Sequence, residues 1–75
     1  MQVRVGVQLV PKELVVETKQ SADEVEQALG EALESASGLF VLKDARGGRI
    51  VIPAKHVGYL EIAEDESRQV GFGTL

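Results

Sequence analysis

The chain has 75 residues, with twelve Asp and Glu against eight Lys and Arg, a formal net charge of −4 and no Cys. That length holds one domain with a shallow core, and the acidity disfavours nucleic acid, whose phosphates call for a clustered basic face. Without Cys there is no disulfide, thiolate nucleophile or Cys-based metal site, which makes the cytoplasm the expected compartment.

The first segment alternates strictly. Val3, Val5, Val7 and Leu9 fall on one face and Gln2, Arg4, Gly6 and Gln8 on the other, so a half-buried strand is predicted. The same alternation leaves no uninterrupted apolar run, and neither a signal peptide nor a membrane span is expected there. Pro11 and Lys12 are read as a turn, after which 13–18 resumes strand composition and closes a hairpin.

Ser21-Ala22-Asp23-Glu24 has capping-box spacing and opens a predicted helix. Val25, Ala28, Leu29, Ala32, Leu33 and Ala36 recur three and four apart as its apolar stripe. Glu26, Glu31 and Glu34 point outward, and Gly38 is the expected left-handed stop. Gly30 lies mid-helix, at a cost of about 1 kcal/mol relative to Ala.

Leu39-Phe40-Val41-Leu42, the turn 44–48 and Arg49-Ile50-Val51-Ile52 make a second hairpin, ended by Pro53. A fifth strand over 57–62 sends Leu60 and Ile62 inward and Tyr59 and Glu61 outward. The expected architecture is α+β, a two-layer sandwich in the order β-β-α-β-β-β, with one helix on a mostly antiparallel five-stranded sheet. A hairpin followed by a capped helix is also the opening of β-grasp, ubiquitin-like domains. Residues 1–63 are read as the single domain and 64–75 as a partly mobile tail, polar at first and then containing Val70-Gly71-Phe72-Gly73.

Chemistry-bearing motifs are scarce. His56 stands alone in a Lys-containing turn, and no HxH, HExxH or DxDxDG pattern occurs. The carboxylates lie on a solvated helix face or in the run Glu64-Asp65-Glu66. Arg46-Gly47-Gly48-Arg49 combines glycine with positive charge but reads as hairpin-turn chemistry rather than a phosphate loop. No catalytic residue, metal ligand or cofactor is assigned.

One helix covers only one side of a sheet. The alternation assigns Arg4, Gln8, Val15, Val51 and Tyr59 to the other side, a candidate docking or dimerisation surface, with Phe72 of the tail as a second contact element.

Gly6-Val7-Gln8 before Pro11 and Glu13-Leu14, Ser21-Ala22-Asp23-Glu24-Val25, Val51-Ile52-Pro53-Ala54, Tyr59-Leu60-Glu61-Ile62 and Arg68-Gln69-Val70-Gly71-Phe72-Gly73 together carry a family resemblance. Nearly end to end, the chain resembles a family of very small actinobacterial proteins, domain-of-unknown-function family three-one-zero-seven. The resemblance implies a stand-alone cytosolic protein and transfers no catalytic residue. Some members are labelled ATP-binding, which makes a small nucleotide-binding protein one alternative. Likeness to β-grasp proteins implies another, a sulfur carrier or modifier, but such carriers end in Gly-Gly, whereas here Gly71-Phe72-Gly73 is followed by Thr74-Leu75. The leading expectation is a non-enzymatic protein-interaction module. Its partner is another protein, with homodimerisation as a supplement to a small core.

Overall fold

The computed structural model describes residues 1–63. The tail expected to be partly mobile, and with it Phe72, lies outside the described residues. Five strands and one helix follow in the expected order: β1 (Gln2–Val7), β2 (Leu14–Glu17), α1 (Ala22–Glu34), β3 (Leu39–Lys43), β4 (Arg49–Pro53) and β5 (Val57–Ala63), with a short 3-10 helix at Ala54–His56 before β5. No helix among the described residues is long and apolar enough to cross a membrane.

Every ladder is antiparallel. The five strands are nevertheless divided: β2, β1 and β5 form one sheet in that order, and β3 and β4 form a separate two-stranded ladder. The expected single sheet parts between β2 and β3, because β2 stops at Glu17, where the chain turns into the helix cap. Near that junction one backbone bond, Ala45 N–H to the Glu17 carbonyl at 2.8 Å, and one side-chain bond, Lys43 N–H to Gln20 Oε1 at 3.0 Å, tie the two together. These pairings do not establish the β-grasp topology.

A single core joins the inward faces of both sheets and one side of α1. Val3, Val5 and Val16 come from the first sheet, Phe40, Leu42 and Ile52 from the second, and Val25 and Ala32 from the helix, all buried together with Ala54. Leu60 and Ile62 pack against this core as expected. Among the described residues Thr18 is the one buried polar residue; its hydroxyl accepts from the Gln20 N–H at 3.1 Å, so it meets the rule that a buried polar group needs a partner.

Two expectations about facing and one about the helix end are corrected. Leu9 is fully exposed rather than a core residue, because β1 ends at Val7 and the chain turns there, with Leu9 at φ 66° and Val10 N–H bonded to the Val7 carbonyl at 3.1 Å. Leu33 is exposed, since α1 packs on β3 and the 3-10 segment through its Ala28 and Ala32 side. The helix stops at Ser35 in an extended conformation, where the Ser35 hydroxyl takes the Ser37 N–H at 3.1 Å, so Gly38 at φ 62° serves the turn into β3 instead of the helix cap.

Candidate interaction face

The outer face of the three-stranded sheet is a small grid fixed by register. Arg4 on the central strand lies between Val15 on β2 and Glu61 on β5. Gln2 lies between Glu17 and Ala63 in the next row. Gly6 faces Tyr59 in the row on the other side of Arg4. Neither α1 nor the second sheet covers this surface: Val15 is 56% exposed and Tyr59 51%.

Tyr59 lies across the strand rather than standing off it. A methyl group built on Gly6 would overlap the Tyr59 ring, so the glycine is what lets the ring lie against the main chain of β1. Beyond that strand the Tyr59 hydroxyl donates to Glu13 Oε2, and the accepting carboxylate, with some desolvation and the nearby charges of Glu13 and Glu61, raises the phenol pKa. Arg4 acts against this shift and reaches Glu61 at 4.0 Å, a loose pair with both side chains near half exposed or more.

The register slips by one residue between Gly6 and Val7, because Gly58 is left without a partner as a bulge in β5. Any side chain at Gly58 would press on the Gly6 carbonyl at 3.2 Å. Gln8 sits beside this bulge, its N–H bonded to the His56 carbonyl at 2.8 Å. Arg4, Val15 and Tyr59 therefore share one face, and Gln8 borders it.

Val51 does not join them. It lies on the outward side of the β3–β4 ladder, cross-strand from Val41, and is 51% exposed on that separate sheet. Alternation along β4 identifies it as outward but carries no information about which sheet β4 belongs to. Glu13 was the contributor missed: it lies in the connection before β2, and only the folded register shows that Tyr59 reaches it.

The remaining motifs have structural partners. Arg46 donates from Nε to Asp44 Oδ1 at 3.3 Å, and its backbone N–H reaches the same oxygen at 2.8 Å. The backbone bond from Arg46 and then its guanidinium hold the Asp44 carboxyl below its usual value, and Asp44 in turn raises the Arg46 pKa. Gly47 adopts φ 115°, which bears out the turn reading of this segment. His56 is exposed at the 3-10 helix, and no group of three metal-binding side chains occurs among the described residues. A groove of about 300 Å³ at the helix start carries Lys19 and Lys43 but also Glu24 and Asp44, so its charges balance.

No curated protein matches the chain. A model of the family described as "Protein of unknown function (DUF3107)" matches residues 1–73, and the chain belongs to that family.

Proposed function

We propose that this member of the DUF3107 family works in the cytoplasm as a non-enzymatic module, binding another protein through the outer face of its three-stranded sheet. The observation that carries the reading is that Val15 and Tyr59, both about half exposed, lie around Arg4 on a face that no other described element covers. Tyr59 and Arg4 on this face are of the side-chain types enriched in protein interfaces. Tyr59 is also held in place before any partner arrives, which lowers the ordering cost of binding.

For nucleotide binding the candidate cations are Arg46 and Arg49, and Arg46 is already engaged by Asp44. The carrier reading rests on a C-terminus outside the described residues.

The test is affinity capture from native-cell lysate with three forms of the full chain: unmodified, Val15→Asp and Val51→Asp. A specific partner is expected on the unmodified chain and on Val51→Asp, and lost on Val15→Asp. Loss on Val51→Asp alone, or retention by both variants, contradicts the assignment of the face. Truncation before Val70 asks the same question of Phe72.

A further inference from the structure

The outer face is unevenly charged around its aromatic residue. Glu13 binds the Tyr59 hydroxyl, Glu61 neighbours Tyr59 along β5, and Glu17 occupies the far corner. Against these carboxylates the face carries Arg4, loosely paired with Glu61, while the terminal amine lies 3.9 Å from Glu17. The two carboxylates nearest the ring are exposed and keep acceptor positions open.

The ring itself is oriented. One side lies on Gly6, its hydroxyl is anchored on Glu13, and half of its surface remains open to solvent. An aromatic face presents negative potential to whatever lies over it, and flanking carboxylates deepen that preference for a cation. A carboxylate-bearing partner segment would meet repulsion at the same place.

We infer that Tyr59 is a platform for a cationic side chain, an arginine or lysine carried by an apolar-basic segment of the protein partner, with Glu13 and Glu61 as its counter-charges. The inference rests on the interaction reading above and names the chemistry of the partner. Val15, in the neighbouring row across Arg4, takes an apolar side chain of the same segment. A segment alternating basic and apolar residues meets both requirements.

The probe is a blocked synthetic peptide alternating Arg and Val, compared with its Glu and Val counterpart, each titrated into the full chain. Tyr59 is the chain's one tyrosine and there is no tryptophan, so intrinsic emission reports on the platform alone. The Arg peptide is expected to give a saturable change that weakens about tenfold on moving from low to high salt, and the Glu peptide none. Tyr59→Leu, followed by calorimetry, is expected to bind the Arg peptide about threefold to tenfold more weakly. Glu61→Gln is expected to weaken it in the same direction and, being a surface change, keeps the test valid where Tyr59→Leu fails to fold.

No saturable response to the Arg peptide, an equal response to the Glu peptide, or an affinity indifferent to salt and to Glu61→Gln overturns the inference. Failure of the underlying reading is distinguishable. A captured partner that is lost on Val15→Asp but docks through an acidic or uncharged segment overturns the cation platform alone. Capture of nothing through this face removes the module reading, while the peptide titration still decides the platform.

Discussion

At Gly6 the main chain is bare because the Tyr59 ring occupies the space a side chain would need. Gly6→Ala must move that ring or bend β1, and a destabilisation of about 1–3 kcal/mol is expected, read from the urea midpoint at unchanged slope. The Glu13 carboxylate that anchors the ring also raises the phenol pKa, so Tyr59 is expected to ionise above the ordinary phenol value in an ultraviolet titration. Glu13→Gln should return it toward that value. Because the folded chain holds this proton more tightly than the unfolded one, the associated stability is complete below the unfolded pKa and is lost as pH rises through the folded one. Alternation along the fifth strand was enough to place Tyr59 outward. The pairing with Glu13 was not legible, because the two residues are 46 positions apart and meet across β1 through both its β2 and its β5 ladders.

Among the elements, α1 was the most legible, since its start depends on local chemistry. Ser21 Oγ accepts the Glu24 N–H at 3.1 Å and Glu24 Oε1 accepts the Ser21 N–H at 2.8 Å, the reciprocal pair that the spacing predicts. Ser21→Ala is expected to cost about 1 kcal/mol in thermal or denaturant unfolding. Gly30 has nothing within 4 Å of where a Cβ would stand, so Gly30→Ala should stabilise the chain by up to about 1 kcal/mol. A loss of stability in that variant would mean that the helix surface at Gly30 is covered. The end of the helix was less legible: the serines at 35 and 37 offered the backbone a competing set of bonds that ended α1 before Ala36. Strand facings were read correctly wherever a strand continued, as at Val3, Val5, Leu60 and Ile62. Leu9 was misread because the alternation runs on past the point where the chain turns.

For the whole molecule, the α+β class and the element order were present in the sequence, but the neighbours of each strand were not. Periodicity labels the two faces of a strand and is blind to which sheet receives it, so Val51 was grouped with Arg4 and Tyr59 although it lies on the second sheet. One core serves both sheets, and a chain of this size has little stability in reserve. Phe40, fully buried at its centre, tests that unity: Phe40→Ala is expected to cost about 3–5 kcal/mol and to leave the chain largely unfolded, visible as loss of amide dispersion throughout rather than in one hairpin.

The central claim is that the outer face of the three-stranded sheet is the working surface. The most direct measurement is amide chemical-shift mapping of the full chain titrated with its captured partner. The account predicts shifts concentrated at Arg4, Val15, Tyr59 and Glu61, with Val41 and Val51 unmoved. Shifts centred on Val41 and Val51, with the Arg4 row silent, would contradict it and move the working surface to the other sheet.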